Sequence, residues 1–202
     1  MGKQTIAFEP MPGNLRYLYG NIIANGWQNI VEIYPVALAE HTGIMPIYGS
    51  GTGASLIEGW AGIDRRFQTI LPVSTLDICI GERFKGKRVF VLIDVEGGEF
   101  RVLQGAGNLL LNEPRPIWMV EVCYNVHQPK ERIVNPNFAD VFNIFFDLGY
   151  KAVTADNRFL PIARKEIDSL LKGEQNSLGT HNFLFWDPSS TPTTLVSNQS
   201  NL

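Results

Sequence analysis

The sequence has few cysteines, no excess of positive charge and no long apolar run, and each absence narrows the possibilities. Its two cysteines, Cys79 and Cys123, form no CxxC pair, which excludes a disulfide framework and a cysteine-rich zinc site. A net charge of -3 is atypical of a nucleic-acid surface. No apolar stretch is long enough to span a bilayer, and residues 1–4 lead into a predicted strand rather than a signal peptide. These features predict a cytoplasmic protein without nucleic-acid or membrane partners.

The most informative stretch is residues 88–100. Its first half is an apolar, β-branched run typical of a strand that is buried on both faces. Asp94, Glu96, two glycines and Glu99 follow, and then apolar residues recur at helical spacing over residues 100–110. Three carboxylates therefore lie at the carboxyl end of a buried strand, where open α/β sheets hold their ligands. The structural alternative is that Asp94 or Glu99 only caps the following helix.

Alternating strand and helix patterns continue along the chain. Predicted strands cover residues 5–10, 30–39, 117–122, 150–155 and 181–186, and predicted helices cover residues 14–24, 75–84, 138–148 and 167–171. This order predicts a mostly parallel α/β sheet in one domain, residues 1–186, followed by a disordered tail, residues 187–202. Because Glu9, Asp94, Glu96 and Glu121 all fall at carboxyl ends of predicted strands, we expect them to line one crevice.

Residues 40–72 are the least regular part of the chain, and we interpret them as a functional insertion or a small hairpin. The glycine-rich run at residues 49–53 has no preceding buried strand and no lysine at the spacing of a phosphate loop, which favours a flexible turn or lid. Trp60 and the pair Arg65 and Arg66 either touch a substrate or belong to a packed loop with a solvated basic pair. The sequence leaves both readings open.

Several motifs together resemble the FkbM family of S-adenosylmethionine-dependent methyltransferases, many of which act on oxygen in glycans and polyketides. The motifs are Phe8 to Asn14, Ala37 to Ala39, Thr75 to Asp77, Ile93 to Glu99 with Val102 to Gly105, and Val120 to Glu121. The resemblance implies a Rossmann-like class I methyltransferase sheet in which residues 181–186 form a reversed strand between their two predecessors. It also implies S-adenosylmethionine as cofactor and a small-molecule, glycan or polyketide hydroxyl as acceptor.

The resemblance implies cofactor binding by Glu9, Asn14, Ala37 and Asp94, and catalytic roles for Glu96, Asp94 and Glu121. Glu9 is placed to accept the ribose hydroxyls of an adenosine. We expect Asp94 and Glu96 to repel each other, which raises one pKa, and we choose Glu96 as the general base, with Asp94 nearer the cofactor. His127 is the alternative base. Asp94, Glu96 and Glu121 suit a hard divalent cation, but their spacing does not require one, and we predict no metal.

One departure from the family pattern concerns the cofactor site. The first strand of the fold and its glycine loop, which wraps the methionine part of the cofactor, are missing before the strand of Glu9. That strand would lie between the strands of Glu9 and Asp94, so we expect these two either to close up or to leave costly unpaired edges. The alternative to an O-methyltransferase is therefore a non-catalytic, truncated binding domain with an impaired cofactor site. A nicotinamide oxidoreductase is less favoured, because GxGxxG is absent.

Overall fold

The computed structural model describes residues 3–190, in which short strands and helices alternate. The strands are β1 Thr5–Phe8, β2 Val31–Tyr34, β3 Ala37–Leu38, β4 Gly43–Tyr48, β5 Gln68–Ser74, β6 Phe90–Ile93, β7 Ile117–Glu121, β8 Lys151–Thr154, β9 Pro161–Ile162 and β10 Asn182–Trp186. The helices are α1 Pro12–Ala24, α2 Leu76–Ile80, α3 Glu99–Gln104, α4 Gly107–Leu110, α5 Phe138–Asp147 and α6 Arg164–Leu171. Most of the predicted tail, residues 191–202, lies outside the described residues, and the predicted domain boundary stays a prediction.

The described strands form three sheets rather than the one mostly parallel sheet that we predicted. Their orders are β1-β2, β3-β5-β4 and β6-β7-β10-β8-β9. Three strand pairs are parallel and four are antiparallel. The described strands therefore do not form a single, mostly parallel sheet, because antiparallel pairs outnumber parallel ones and no described strand connects β1 to β6. The Rossmann-like class I arrangement stays a prediction. The coarser prediction of a mixed α/β fold is confirmed.

The reversed last strand is found where it was predicted. Strand β10 is antiparallel to both β7 and β8, and Phe183 lies opposite Val120 on one side and Thr154 on the other. Phe183 and Phe185, two positions apart, point to the same face of the sheet and have no exposed surface. Strand β10 is the central strand of the five-stranded sheet, and its two phenylalanines belong to the main hydrophobic core.

An amphipathic helix, α5, covers this sheet as predicted for residues 138–148. Phe142 packs edge-on against Phe183, with ring centroids 4.9 Å apart, and Phe145 stacks on Phe185 at 3.9 Å. Aromatic pairs of this kind add to the stabilisation from buried area. The sheet that carries Asp94 and Glu121 thus rests on a rigid, apolar support.

Strands β1 and β6 each pair on one side only within residues 3–190. We expected β1 and β6 either to close up or to leave unpaired edges, and in the described chain they do not hydrogen-bond to each other. Ile6 and Phe8 of β1 nevertheless pack against the main core. On β6, Phe90 and Leu92 leave 59% and 62% of their surface exposed. These two exposed apolar side chains lie on a strand whose outer edge has no partner in the described chain. Proteins usually cover such an edge or place charged residues on it.

Proline and glycine change two predicted elements. The strand predicted over residues 30–39 is divided into β2 and β3, with Pro35 between them, since proline has no N–H for a ladder. The helix predicted after residue 99 is divided into α3 and α4 near Gly105. Gly105 lies so close to β3 that a Cβ there would be 2.3 Å from the Ala39 carbonyl oxygen. The break lets α3 end directly against β3.

Residues 40–72 contain the small hairpin-like pair that was one of the two expectations. Strands β4 and β5 are antiparallel, with Gly43 opposite Val73 and Tyr48 opposite Gln68. The glycine-rich run forms a short 3₁₀ turn, Gly51–Gly53, that follows β4. It does not join a buried strand to a helix, which agrees with setting aside a phosphate loop. The chain from this turn to β5 then passes beside the ends of β6 and β7.

Candidate active site at the carboxyl ends of β6 and β7

Asp94 and Glu121 meet at the carboxyl ends of two neighbouring parallel strands. Ile93 of β6 lies opposite Val120 of β7, so the two acids end the strands in the same register. Burial, then the hydrogen bond and negative charge of Asp94, and lastly the charge of Glu96 raise the pKa of Glu121 to about 7. A proton held between two carboxyl groups can therefore remain here near neutral pH.

Glu96 contacts residues from two other loops. Its backbone has a φ of 54°, which is uncommon for a residue with a side chain. The Trp60 indole Nε1 donates a hydrogen bond to Glu96 Oε2 over 2.8 Å, and His127 Nδ1 lies 4.0 Å from the same oxygen. The expected repulsion between Asp94 and Glu96 stays a prediction. The carboxyl group that is hydrogen-bonded to Asp94 is that of Glu121.

The buried side chain of Glu99 stabilises the loop that follows β6. Only 2% of its surface is exposed, and its Oε1 accepts a hydrogen bond from the Gly97 N–H over 2.9 Å. Burial raises the pKa of Glu99 to about 7, against the lowering effect of these backbone hydrogen bonds. Gly98 is the N-cap of α3. Glu99 thus stabilises the turn before the helix rather than serving as the cap that we considered.

Glu9 and Asn14 form a second polar group after β1. Glu9 Oε1 accepts the Met11 N–H over 2.7 Å, and Glu9 Oε2 accepts Asn14 Nδ2 over 3.1 Å. Asn14 Nδ2 also donates to the Gly51 carbonyl oxygen over 3.0 Å. Within residues 3–190 no hydrogen bond or ion pair joins this group to Asp94, Glu96 or Glu121, and the expectation that these acids line one crevice stays a prediction.

Ala37, the remaining predicted cofactor contact, lies in β3 and belongs to a small apolar cluster. Only 5% of its surface is exposed, and Met11 and Val73 belong to the same buried cluster. Its methyl group fills the interior between β3 and the start of α1. Its predicted role toward the cofactor stays a prediction.

Trp60 is the site residue whose role the sequence left open. It is 2% exposed, and its position excludes direct exposure to an incoming substrate. A Cβ at Gly97 would lie 2.6 Å from the Trp60 ring, so the glycine is what lets the indole lie against the loop after β6. The only feature of the sequence that could have indicated this role was a tryptophan between Gly59 and Gly62 in an irregular segment.

The paired arginines of the same segment are solvated, as the second reading proposed. Arg65 lies 3.8 Å from Glu58, and Arg66 lies 3.0 Å from Asp64. The side chains of Arg65 and Arg66 are 74% and 81% exposed. Such exposed pairs contribute little to stability.

Three further properties bear on the class of site. No group of three or more His, Cys, Asp or Glu side chains among residues 3–190 is arranged to hold a metal ion. Cys79 and Cys123 are both free thiols. In the part of the chain that the structure describes, no helix combines the length and apolar character that crossing a membrane requires.

The fold and site define a mixed α/β domain with carboxylates at the ends of parallel strands, and comparison with known proteins identifies its family. Residues 1–152 match the model of the methyltransferase FkbM domain. The chain therefore belongs to the FkbM methyltransferase family, which the motifs of the sequence had indicated.

Two other comparisons add little to this assignment. The chain is similar to the crystal structure of methyltransferase FkbM from Methylobacillus flagellatus KT, with a TM-score of 0.47 and 14% sequence identity over 91% of this chain. It spans 36% of the length of that relative. No curated protein matches the chain significantly.

Proposed function

We propose that this protein transfers a methyl group from S-adenosylmethionine to a hydroxyl of a small molecule, glycan or polyketide. The observation that carries the proposal is the pair Asp94 and Glu121, two carboxyl groups that share a strand-end position in a chain of the FkbM family. Free thiols at Cys79 and Cys123 support a place in the reducing cytoplasm.

The residues after β1 fit the adenosine end of the cofactor. Glu9 is held by the Met11 N–H and by Asn14, one donor to each oxygen. A carboxylate oxygen accepts more than one hydrogen bond, so both oxygens keep capacity for the two ribose hydroxyls. A fixed acceptor needs no reorganisation when the ligand binds. We propose Glu9 and Asn14 as the ribose site, with Asp94 toward the reacting end.

Bound S-adenosylmethionine would supply an electrophilic methyl group on a positively charged sulfur. The reaction has two other requirements, stabilisation of the positive charge and removal of the hydroxyl proton, and the side chains of this protein serve them. Asp94 and Glu121 provide negative charge beside the cation, and alignment of the acceptor oxygen with the methyl carbon supplies much of the rate. As the O–CH₃ bond forms and the S–CH₃ bond breaks, the hydroxyl proton must pass to a base near the acceptor.

The proposal is tested by calorimetric titration of the whole chain with S-adenosylmethionine. We expect saturable binding by the wild type and a loss of at least about tenfold in affinity for Glu9→Gln, because an amide supplies only one acceptor oxygen. Glu113→Gln, at a surface carboxyl 71% exposed, is the matched control and should bind as the wild type does. Equal affinities for all three proteins would contradict the ribose assignment, and absence of binding by the wild type would contradict the function.

A second function is favoured by the open edges of β1 and β6. An edge with unpaired backbone groups is a template for another strand, and a gap here separates Glu9 from Asp94. The alternative is thus a non-catalytic binding domain with an impaired cofactor site. It predicts no heat from S-adenosylmethionine, and in-frame codons upstream that encode an apolar strand followed by Asp and Gly-x-Gly would argue against it.

A further inference from the structure

Three loops bring Trp60, Glu96 and His127 together beside Asp94 and Glu121. Ser55, buried in the segment after β4, donates its hydroxyl to the Glu96 carbonyl oxygen, and Trp60 Nε1 donates to the Glu96 carboxylate. The Ala61 N–H, next to Trp60, donates to the His127 carbonyl oxygen over 2.7 Å. The insertion therefore holds both the loop after β6 and the loop after β7.

The backbone at this contact is strained on both sides. Glu96 has φ 54° and His127 has φ 63°, values that residues with side chains seldom adopt. Strain of this kind persists only where the surroundings impose it, and it concentrates at functional sites. Here it directs the Glu96 carboxylate and the His127 imidazole toward each other from different loops.

His127 is exposed, as a group that reacts with a substrate must be, whereas Trp60 is buried, as a supporting residue would be. The His127 side chain is 55% exposed, whereas Trp60 is 2% exposed and lies edge-on to the imidazole, with ring centroids 6.0 Å apart. His127 Nδ1 is the nitrogen that lies 4.0 Å from Glu96 Oε2. Hydrogen bonds of catalytic groups are often long without substrate and shorten in the complex.

We propose that His127 Nε2 removes the acceptor hydroxyl proton, with Glu96 and Trp60 as positioning residues. The Glu96 carboxylate, 4.0 Å from Nδ1, favours the proton on that nitrogen by its negative charge, which leaves the lone pair on Nε2, and the Trp60 N–H fixes the carboxylate in place. The proton of the hydroxyl passes to Nε2 while the oxygen takes the methyl group, and His127 later releases it to water. This role rests on the proposed methyl transfer. It assigns the general base to His127, which Glu96 orients, rather than to Glu96 itself.

The geometry favours His127 over either carboxylate as the base. Glu96 Oε2 accepts from Trp60, and the Glu96 side chain is 26% exposed, whereas that of His127 is 55% exposed, so the imidazole is the more accessible group. Glu121 is paired with Asp94, and burial, followed by the hydrogen bond and the charge of Asp94, raises the pKa of Glu121. The negative charge of Glu96, 4.0 Å from His127 Nδ1, would also stabilise the imidazolium that forms.

The first test reads the tautomer of His127 and needs no acceptor. In ¹⁵N-histidine NMR spectra of the full chain at alkaline pH, we expect the Nδ1–H tautomer at His127. Glu96→Ala should shift it toward the Nε2–H tautomer, while the signal of His181 serves as the internal control. A wild-type Nε2–H tautomer, or a tautomer unchanged in Glu96→Ala, would overturn the proposal. Trp60→Phe should weaken the Nδ1–H preference without abolishing it.

The second test measures transfer of radiolabelled methyl groups to a mixture of free monosaccharides as hydroxyl probes. His127→Asn retains a residue that tolerates positive φ, and we expect transfer to fall about 100-fold or more with the affinity for S-adenosylmethionine unchanged. Wild-type rates in this variant would overturn the role of His127. A wild-type chain that fails to bind the cofactor would instead refute the proposed function, whatever the tautomer.

Discussion

Asp94 and Glu121 face each other across the ends of β6 and β7, two carboxyl groups in register at neighbouring parallel strands. Like charges in one site cannot both ionise without cost, so Asp94 adds to the effect of burial and Glu121 keeps its proton to a higher pH. This relationship depends on the parallel pairing of β6 and β7.

Replacement of Asp94 by alanine should lower the pKa of Glu121 from about 7. The change removes a hydrogen bond and a negative charge, while burial, the largest cause of the raised pKa, remains. The pKa should therefore fall but stay above the ordinary value. Carboxyl ¹³C NMR during a pH titration measures it, with Glu113→Gln as the control. An unchanged Glu121 pKa in Asp94→Ala would show that the two carboxyl groups are independent.

Glu99→Gln should remove part of the pH dependence of stability. Because folding raises the pKa of Glu99 from 4.5 to about 7, its stabilising contribution is complete below the lower value and is lost as pH rises through the higher one. The wild-type free energy of unfolding should thus fall by up to about 3 kcal/mol over this window from Glu99 alone. Urea denaturation at several pH values measures the slope.

The glutamine at position 99 keeps an oxygen that can accept the Gly97 N–H, so the variant should remain folded. Glu121 has a pKa raised in the same direction, and a smaller fall with rising pH should therefore persist in Glu99→Gln. Identical slopes for wild type and variant would mean that Glu99 does not bind a proton on folding.

Gly97→Ala should destabilise the protein by roughly 2–4 kcal/mol. Gly97 has φ 90°, and a Cβ there would lie 2.6 Å from the buried Trp60 ring. The side chain would displace the indole from Glu96 as well as strain the backbone. Gly20→Ala is the matched control, since α1 leaves open space around that position. It should raise stability by about 0.5–1 kcal/mol, and thermal or urea unfolding compares the two.

Leu92→Lys should reduce self-association without a large loss of stability. Leu92 is 62% exposed on β6, whose outer edge has no hydrogen-bonded strand in the described chain, and a charge on an edge strand opposes strand-to-strand pairing. Sedimentation velocity over a range of concentrations measures association. Leu111→Lys, at a leucine 54% exposed away from the sheets, tests whether added charge alone has the effect. Equal association of both variants would exclude the edge as the contact.

The sequence by itself determined the strands that end in acids, the amphipathic helix α5 and the family. These features are local, since apolar periodicity and the residues that follow a strand are read within a few positions. The reversed strand β10 was also found, although through the resemblance of the motifs rather than from periodicity. Glu9, Asp94 and Glu121 all lie at or just after strand ends, as predicted.

Only the tertiary structure decided which acid pairs with which. Glu96, with its left-handed backbone, contacts Trp60 and His127, two residues from distant loops that no pattern near Glu96 indicates. The division into separate sheets likewise depends on which edges find a partner. Backbone strain and strand pairing are set by contacts between segments far apart in the chain, and no local pattern records them.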